Sequence, residues 1–547
     1  MLVAEAVGRT LAGLGVDTVF GVVGSGNFHV TNALVAAGTR YVAARHECGA
    51  ATMADAYART SRKVGALSLH QGCGLTNAMT GITEAAKSRT PMLVLAADTA
   101  AAAVRSNFRV DQDALALAVG AVPERVHAPQ TAVADAARAW RTAVSQRRTV
   151  VLNLPLDVQA AQVPEGAAAV PPPLDLQPPR PSPAAAAVLA EALRRADRPV
   201  FVAGRGARVA WARASLERLA DSSGALLATS AVAKGMFNGN PWYLDVSGGF
   251  ASPLAAELIR GADLIIGWGC ALNMWTMRHG ALIGPGATVA QVDLDVDAIG
   301  AHRPVDLGVV GDVDQTALAV AAELGGPVAG YRSQELRERI AREHRWRDVP
   351  FEDSSGGGRI DPRTLSIALD DLLPDERVVA IDSGNFMGYP SMYLSVPDDD
   401  GFCFTQAFQS IGLGLATAIG AALASPRRLP VAALGDGGAL MSIAELETVV
   451  RLRLPMVVVV YDDEAYGAEV HHFGPDGYQL DTVRFPPTDI ASIGRGFGCE
   501  GVTVRAKDDL EAVADWVQGP RDKPLVIDAK VVSDRGSWWL EEAFRGH

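Results

Sequence analysis

Short apolar runs recur along the chain, and most of them end in glycine or in polar residues. Examples are "DTVFGVV" at residues 17–23, "ADLIIGWG" at residues 262–269 and "PMVVVVYDD" at residues 455–463. A run that is apolar throughout is typical of a strand that is buried on both faces of a parallel sheet. Amphipathic Ala- and Leu-rich stretches separate the runs and predict helices that cover those faces.

Ten runs of this kind predict buried strands. They lie at residues 17–23, 64–70, 91–97 and 149–155, at residues 198–204, 262–269 and 287–295, and at residues 377–384, 429–437 and 455–463. Strands that alternate with helices indicate open α/β sheets, in which ligands bind beyond the carboxyl ends of the strands. Functional residues are therefore expected where the apolar runs end.

Two stretches rich in proline, glycine or serine interrupt the pattern, at residues 163–183 and 353–362. Each predicts an extended connector, because proline and glycine disfavour helices and central strands. The connectors divide the 547 residues into three blocks of ordinary domain size. We predict three doubly wound α/β domains with parallel sheets, at residues 1–165, 183–330 and 360–547.

Composition argues against several classes of protein. The net charge of −13 is spread over the chain, which disfavours broad contact with nucleic acid. No apolar run reaches the roughly 18 to 20 residues that a membrane span needs. The first residues carry an acid early and lack the basic flank of a signal peptide. The expectation is a cytoplasmic protein that binds neither nucleic acid nor membrane.

The cysteines are single and scattered. The five are Cys48, Cys73, Cys270, Cys403 and Cys499, with no CxxC pair among them. Their odd number and wide spacing predict neither a disulfide framework nor a structural zinc site.

An acid and three glycines follow one of the predicted strands, in "GDGG" at residues 435–438. The sequence predicts a strand that ends at Leu434, a glycine turn, and a helix that begins at Ala439. Main-chain N–H groups at such a helix start favour a phosphate group. Asp436 would repel a bare phosphate, but a divalent cation between the two resolves the conflict, since Mg²⁺ bridges carboxylates to phosphates.

A second acidic pair, Asp462 and Asp463, ends the next predicted strand. Parallel strands deliver their ends to one edge of the sheet, so these acids are expected near Asp436. Taken singly, "GDGG" is typical of a plain tight turn and "DD" of a helix cap. Both motifs on adjacent strand ends favour a cation site.

The spacing of these motifs resembles a known family. "GDG", followed after 27 residues by a polar pair and "xxYG", resembles the cofactor motif of thiamine diphosphate (ThDP) enzymes. The resemblance implies Mg²⁺ ligands at Asp436, Asp463 and the main-chain carbonyl of Ala465. This chain has Asp-Asp where the family usually has Asn-Asn, which keeps an oxygen ligand and adds negative charge. Asp462 is expected to bond the phosphate loop or to cap the following helix.

Other segments extend the resemblance over the whole chain. "ARHECGAATMADAYART" places Glu47 where the family's glutamate contacts the aminopyrimidine ring, although an exposed helical acid is the simpler interpretation. "QSIGLGLATAIGAALA" places Ile411 where an apolar side chain separates the two cofactor rings. The resemblance implies further cofactor contacts at Gly384, Asn385, Phe386, Ser410, Gly435, Gly437, Gly438, Ala439, Tyr466 and Gly467.

The first block is then the pyrimidine-binding domain and the third the diphosphate-binding domain. The middle block resembles the family's central domain, which binds FAD in some acetolactate synthases. No glycine-rich dinucleotide fingerprint is present, so FAD has no support in the sequence and stays open.

Two residues of the first block are candidates for catalysis. "GVVGSGNFHV" and "LSLHQGCGLTNAMTG" resemble segments of benzoylformate decarboxylase and place Ser25 and His70 on its substrate-contacting serine and active-site histidine. Histidine titrates near neutrality and is suited to proton transfer. A lone histidine at a strand end is more often structural, but its matched neighbours favour the catalytic role.

Further positions leave the specific reaction open. Glu469 has the spacing of the catalytic glutamate of pyruvate decarboxylases, and a surface acid is an equal alternative. His471 and His472 follow it with no assigned role. Phe108 or Asn107 stands where acetolactate synthases and benzaldehyde lyase have a glutamine, which weakens an acetolactate synthase assignment.

Together these features predict a ThDP- and Mg²⁺-dependent enzyme of the acetolactate synthase, benzoylformate decarboxylase and pyruvate decarboxylase superfamily. It would act on a 2-oxo acid by decarboxylation, with carboligation open. One alternative is a simple 2-oxo acid decarboxylase, and one of another class is a catalytically silent regulatory subunit. The resemblance implies a homodimer or a dimer of dimers with active sites at the subunit interface.

Overall fold

Three sheets of six parallel strands each form the framework of the molecule. The computed structural model describes residues 1–167, 169–170, 172 and 176–543. Helices lie on both faces of each sheet, and the strands are buried along most of their length because both faces are covered. This confirms the predicted fold class of three doubly wound α/β units.

The first sheet is built from residues near the N-terminus. Its strands are β1 (Thr18–Gly21), β2 (Arg40–Ala43), β3 (Gly65–Leu69), β4 (Met92–Asp98), β5 (Val122–Arg125) and β6 (Thr149–Pro155). Its helices are α1 (Val3–Gly13), α2 (Phe28–Ala36), α3 (Glu47–Ser61), α4 (Cys73–Lys87), α5 (Gln112–Ala118), α6 (Ala132–Ser145) and α7 (Leu156–Gln159). The strand order is β2-β1-β3-β4-β6-β5.

The second sheet lies in the middle of the chain. Its strands are β7 (Pro199–Ala203), β8 (Leu226–Thr229), β9 (Tyr243–Val246), β10 (Leu264–Trp268), β11 (Thr288–Asp293) and β12 (Leu307–Val310). Its helices are α8 (Pro183–Arg195), α9 (Ala212–Ser223), α10 (Pro253–Arg260), α11 (Val313–Leu324) and α12 (Gln334–Glu343). The strand order is β12-β11-β10-β7-β8-β9.

The third sheet completes the fold. Its strands are β13 (Arg377–Ile381), β14 (Phe402–Phe404), β15 (Leu429–Gly435), β16 (Val457–Asp462), β17 (Glu500–Val504) and β18 (Leu525–Lys530). Its helices are α13 (Pro362–Leu372), α14 (Gly388–Tyr393), α15 (Gly414–Ala424), α16 (Asp436–Ser442), α17 (Leu446–Arg451), α18 (Gly467–Phe473), α19 (Ile490–Phe497), α20 (Glu511–Gln518) and α21 (Trp538–Ala543). The strand order is β14-β13-β15-β16-β18-β17.

Helices α3 and α15 pack against each other and join the first sheet to the third. Both are rich in alanine and glycine, so their backbones approach closely, and a Cβ on Gly420 would lie 2.3 Å from the Met53 carbonyl oxygen. Met53 and Ile419 are fully buried in this shared core. Each such side chain stabilises the contact by roughly 1.5–3 kcal/mol, so the two units are held firmly together.

Each of the ten predicted strands overlaps an observed one, and eight further strands were not predicted. The connector predicted at residues 163–183 includes residues 168, 171 and 173–175, which lie outside the described part of the chain. Its other residues form turns and extended chain until α8 begins at Pro183. In the described ranges, every helix is too short or too polar to cross a bilayer.

Candidate cofactor and active site

The strand order creates a crevice at the carboxyl end of the third sheet. Strand β13 lies between β14 and β15. The loop after β13 leads to β14 on one side, and the loop after β15 leads to β16 on the other side, so the two loops diverge. Ligands of open α/β sheets bind at such a switch point. The loop after β13 carries Gly384, Asn385 and Phe386, and Asp436 follows β15 directly.

Asp436 is the first residue of α16, which corrects the predicted turn and the predicted helix start at Ala439. Gly437 and Gly438 belong to the same helical turn and do not need a positive φ. They are required because neighbours approach closely. A Cβ on Gly437 would lie 2.6 Å from the Tyr466 ring, and one on Gly438 would lie 2.2 Å from Oδ2 of Asp382. A larger side chain would fill the crevice.

The loop after β16 brings Asp463 to the same crevice. Glu464 takes a left-handed conformation, with φ of 58°, which turns the chain sharply after the strand. Two main-chain hydrogen bonds then fix the backbone around Ala465: Tyr466 N donates to Val483 at 2.9 Å, and Phe485 N donates to Glu464 at 2.8 Å. The Ala465 carbonyl is thus held in a rigid segment at the entrance to α18.

Gly467 opens α18, with Tyr466 at the cap position. A Cβ on Gly467 would lie 2.3 Å from Oδ2 of Asp463 and 3.3 Å from the Asn385 Cβ. The Tyr466 ring also meets Phe485 edge to face, with ring centroids 4.9 Å apart. These contacts join the loops after β13, β15 and β16 into one site.

The two predicted metal ligands repel each other when they are ionised. Burial is the main cause that raises the pKa of Asp436 to about 8, and the charges of Asp463 and Asp462 raise it further. Burial likewise raises the pKa of Asp463 to about 7, against a lowering hydrogen bond from Ser533. A divalent cation between the two carboxylates would favour the ionised forms of both.

Asp462 has a partner that the sequence does not predict. Its carboxylate forms a buried ion pair with Lys530 on the neighbouring strand β18, and Lys530 also donates to the Thr488 carbonyl at 2.8 Å. Both side chains are almost fully buried. Asp462 Oδ1 also accepts from Glu464 N at 3.0 Å. The predicted helix cap is wrong, because Tyr466 holds the cap position of α18 without a side-chain cap bond, whereas the predicted bond to the phosphate loop stays a prediction.

The loop after β13 is packed tightly. The Phe386 ring stacks on Tyr461, with centroids 5.4 Å apart, and lies against Gly435, where a Cβ would be 3.1 Å away. Asn385 is buried, with 8% of its surface exposed, although its side chain is polar. Gly384 has φ of 137°, which only glycine adopts readily.

Asp382, which the sequence reasoning missed, ties this loop to the segment that carries Ile411. Its carboxylate accepts hydrogen bonds from Gly412 N at 3.0 Å and from Leu413 N at 3.3 Å. Burial raises its pKa to about 6, although these donors favour the ionised form. Ile411 and Ser410 are half-buried beside it. The signal was available, because Asp382 ends an apolar run as Asp436 does.

A cavity of about 450 Å³ lies beside Asp436. Its lining residues are Asp436, Gly437, Leu440, Met441, Asp462, Glu464, Tyr466, Phe485, Pro486 and Thr488. All of them belong to the third sheet and its loops. The predicted residues of the first sheet contribute nothing to this cavity within one chain.

Ser25 and His70 meet at the corresponding crevice of the first sheet. Ser25 Oγ lies 3.4 Å from Nε2 of His70, while Nδ1 of His70 lies 3.0 Å from the Gln71 carbonyl oxygen. Because a carbonyl can only accept, Nδ1 must carry a proton, and in the neutral ring Nε2 is then an acceptor for Ser25. The geometry leaves the Nε2 lone pair facing Ser25 Oγ.

Phe108, one of the two residues that could stand at the position of the missing glutamine, packs edge to face on the His70 ring, with centroids 5.1 Å apart. Its carbonyl oxygen lies 2.1 Å from where a Cβ on Gly72 would stand. An apolar ring therefore covers His70 on one side. The sequence comparison pointed to this position but not to the contact.

Glu47 begins α3 and lies close to the same group. Asn77 Nδ2 donates to its carboxylate at 3.1 Å, and a Cβ on Gly74 would lie 3.8 Å from Glu47 and 3.2 Å from the His70 Cβ. Glu445 fixes the chain just before it by accepting from the main-chain N–H groups of Arg45 and His46. The structure thus brings Ser25, Glu47 and His70 into one cluster.

The remaining candidates lie on α18. Glu469 is exposed and lines neither of the cavities described here. His471 lies 3.2 Å from Ser533 Oγ, and burial lowers its pKa. His471 and His472 both line a second cavity of about 770 Å³ between α18 and the chain end. The sequence assigned no role to Ser533.

The third-sheet crevice fits a diphosphate with a divalent cation. Two buried carboxylates and a rigid carbonyl offer oxygen ligands of the kind that Mg²⁺ takes. Within the described ranges, no three His, Cys, Asp or Glu side chains form a metal-binding group, so the other ligands would be main-chain, cofactor or water oxygens. Glycines stand where a Cβ would fill the space for the diphosphate.

Comparison with known proteins agrees with this fold. Models of the thiamine pyrophosphate (TPP) enzymes match three parts of the chain: the N-terminal TPP-binding domain at residues 1–119, the central domain at residues 186–320 and the C-terminal TPP-binding domain at residues 382–529. The chain belongs to the thiamine pyrophosphate enzyme family, as its motifs predict.

Similar proteins in this family differ in their reactions. The chain is 28% identical to a sulfoacetaldehyde acetyltransferase of Rhodobacter capsulatus, over 99% of this chain and 96% of that protein. It is 29% identical to an acetolactate synthase large subunit of Parasynechococcus marenigrum, over 96% and 87%. It is 30% identical to a probable 2-ketoarginine decarboxylase of Pseudomonas aeruginosa, over 93% and 89%.

Proposed function

We propose that the protein is a ThDP- and Mg²⁺-dependent enzyme that cleaves, and in acetolactate-synthase-like fashion re-forms, a carbon–carbon bond of a 2-oxo acid. The observation that carries the proposal is the convergence of Asp436, Asp463 and the fixed Ala465 carbonyl beside glycines at one crevice. When bound, ThDP supplies the nucleophilic carbon for decarboxylation. The protein selects the substrate and handles the protons.

In this proposal the first and third sheets have separate tasks. Asp436, Asp463 and the Ala465 carbonyl hold the cation, and Asn385, Gly437, Gly438 and Gly467 shape the site of the diphosphate. Glu47 would hold the aminopyrimidine ring, and Ile411 would lie against the cofactor as an apolar support. Ser25 and His70 face the substrate, where Nε2 of His70 exchanges a proton with the reacting carbon or its oxygen.

The arrangement of these residues supports a homodimer or a dimer of dimers. Ser25, Glu47 and His70 form one cluster, while the cavity beside Asp436 is lined by residues of the third sheet alone. A second copy would bring its own Glu47 to that cavity. We further propose domain boundaries at residues 1–165, 183–330 and 360–547, and a cytoplasmic location. For FAD we propose no role.

A simple decarboxylase is the second candidate, because Ser25 lies within 3.4 Å of a histidine whose other nitrogen is fixed by a carbonyl. This pair is suited to protonation without a second substrate. A silent regulatory subunit is the third candidate. Its support is weaker, because Glu47 and the full set of cation-binding atoms are present.

One set of assays separates the three candidates. Purified protein is titrated with ThDP and Mg²⁺ by calorimetry and then incubated with pyruvate or benzoylformate while CO2 and organic products are measured. A ligated product supports the first candidate, and an aldehyde with CO2 supports the second. Tight ThDP binding without CO2 from any 2-oxo acid would support the silent subunit, and no ThDP binding would overturn the proposal.

A further inference from the structure

The chain end crosses the third-sheet crevice as a strap, here defined as residues 531–540. Val531 N donates to the Asp462 carbonyl at 3.0 Å, where β16 ends. Ser533 Oγ then donates to Oδ2 of Asp463 at 3.3 Å. The strap therefore passes directly beside one predicted ligand of the cation before it turns towards the loop after β13.

Three hydrogen bonds then connect the strap to Asn385. Ser537 N donates to Oδ1 of Asn385 at 2.8 Å, and Ser537 Oγ donates to the Asn385 carbonyl at 2.6 Å. Trp539 Nε1 donates to the same carbonyl at 2.9 Å. All three residues are at least nine-tenths buried, so these bonds are shielded from water.

The contact with Ser537 also fixes which way the Asn385 amide points. A main-chain N–H can only donate, so the amide atom that faces Ser537 must be Oδ1. The Nδ2 group then lies on the other branch of the amide and keeps both of its hydrogens for another acceptor. Asn385 is close to the loop after β16, since its Cβ is 3.3 Å from where a Cβ on Gly467 would stand.

The strap is itself anchored to the central unit. The Arg278 guanidinium lies 5.2 Å from the Trp538 ring, and the Trp539 ring lies 6.3 Å from Trp275 and 6.4 Å from Phe250. On its other side, between Ser533 and α18, lies the cavity of about 770 Å³. There the strap is held by hydrogen bonds more than by continuous packing.

We propose that Ser537 and Trp539 are positioning residues that orient Asn385 for the diphosphate of the cofactor, an inference that rests on the proposed function. The main-chain N–H of Ser537 selects the orientation in which Nδ2–H donors face the anion, and the Ser537 hydroxyl keeps that N–H in place by its bond to the Asn385 carbonyl. Trp539 holds the Asn385 carbonyl and thereby the whole loop. Neither residue touches the cofactor itself.

The test measures ThDP affinity in Mg²⁺ by calorimetry on the full-length protein. Ser537→Ala and Trp539→Phe each remove one of the two side-chain donors to the Asn385 carbonyl. Each is expected to weaken ThDP binding about tenfold, the usual order of one buried hydrogen bond. Ser537→Thr keeps the hydroxyl and is expected to bind within about twofold of the wild type. At saturating ThDP, kcat is expected to change less than the KM for ThDP.

Two matched variants show whether a lost buried donor alone has this effect. Trp516 is 5% exposed and donates from Nε1 to the Lys523 carbonyl at 2.9 Å, a contact that does not involve Asn385. Ser223 is fully buried and donates to the Leu219 carbonyl at 2.8 Å in the central unit. Trp516→Phe and Ser223→Ala are expected to lower thermal stability without changing ThDP affinity.

The outcomes are distinct. Unchanged affinity in Ser537→Ala and Trp539→Phe would overturn the positioning role, and so would an equal loss in the two matched variants. If Ser537→Ala does not fold, Trp539→Phe and Ser537→Thr decide, because both keep most of the packing. If the wild-type protein itself does not bind ThDP with Mg²⁺, the proposed function fails first and this inference fails with it.

Discussion

In the first sheet the strands run in the order β2-β1-β3-β4-β6-β5, and in the third sheet the corresponding strands run in the same order, β14-β13-β15-β16-β18-β17. The switch point therefore falls after the first and third strand of each sheet. At these places the first sheet carries Ser25 and His70, and the third carries Asn385 and Asp436. One topology thus opens two crevices, and the residues at the strand ends decide what each can bind.

The fourth strands extend the parallel. Asp98 ends β4 and pairs with Arg125 at 2.7 Å, and Asp462 ends β16 and pairs with Lys530. Both acids are neutralised by a base from another strand of the same sheet. Only the third sheet adds a further acid, Asp463, beyond the pair. The proposed cation site thus depends on Asp463, the acid that no base of the third sheet neutralises among the residues that the structure describes.

The largest effect is expected from Glu47→Gln, which tests whether the first sheet supplies the residues that transfer protons. Glutamine keeps the size and the bond to Asn77 but cannot exchange a proton, so turnover should fall about 10³-fold. ThDP affinity should change only a few-fold. Turnover is measured as CO2 release, with Glu124→Gln as the control on the same unit. Turnover equal to the wild type would remove Glu47 from the mechanism.

Asp436→Ala tests whether the crevice of the third sheet binds the cofactor and its cation. Removing a buried ligand should weaken the binding of ThDP with Mg²⁺ by at least about 100-fold, as measured by calorimetry. Asp98→Ala removes an acid at the fourth strand end of the first sheet and should leave cofactor affinity unchanged. Similar losses in both variants would mean that the two crevices do not differ as proposed.

His70→Asn should lower kcat/KM for the 2-oxo acid about 100-fold, because Asn can still donate to Gln71 but cannot transfer a proton. ThDP affinity should stay within about twofold of the wild type, since His70 belongs to the other crevice. Steady-state rates across pH 5–9 supply the measurement. A profile that keeps the wild-type shape in this variant would show that His70 does not titrate in the reaction.

Asp463→Asn is expected to bind ThDP with Mg²⁺ within about threefold of the wild type, because an amide oxygen can still act as a ligand. Asp463→Ala, which has no ligand atom, should lose at least about 30-fold. Calorimetric titration with ThDP in excess Mg²⁺ compares the two. Equal affinity of the alanine variant and the wild type would remove Asp463 from the cation site.

The last prediction concerns stability and not binding or turnover, at Asp382, whose counterpart after β1 is the uncharged Val22. Its pKa is raised by burial, so its contribution to stability is present below the unfolded pKa of 3.8 and is lost as the pH rises through about 6. Wild-type stability should therefore fall by on the order of 3 kcal/mol relative to Asp382→Asn between pH 4 and 7. Urea unfolding at each pH measures this, and parallel curves would refute it.

Uninterrupted apolar runs were sufficient to predict ten strands, because burial on both faces leaves no room for polar residues. Several of the missed strands lack that signal, although β8, which reads "LLAT" and is fully buried, carries it. Strand β2 reads "RYVA" and β5 reads "VPER", since both lie at the edge of the first sheet and are partly exposed. Strand β18 reads "LVIDAK" and is fully buried, but Asp528 and Lys530 interrupt its pattern.

The candidate site, like the strands, could be predicted only where its residues follow an apolar run or match a known spacing. Asp436, Asp463, Gly437 and Gly467 are recognisable from their spacing, because a strand end must place them at one edge of the sheet. Asp382 carried the same signal but was not recognised. Ser533, Ser537 and Trp539 could not be predicted, because their contacts join segments 70 and 152 or more residues apart.

The sequence by itself determined where the functional groups stand: acids and glycines at the ends of buried strands, with Ser25 and His70 in the first sheet and Asp436 and Asp463 in the third. Only the tertiary structure showed which of the two neighbouring acids in "VVVVYDD" is paired with a base. Asp462 is the last residue of β16, and there it meets Lys530 on the adjacent strand, 68 residues away. Asp463 lies one residue further and forms no ion pair with that base in the described part of the chain, which is why we propose it as the ligand of the cation.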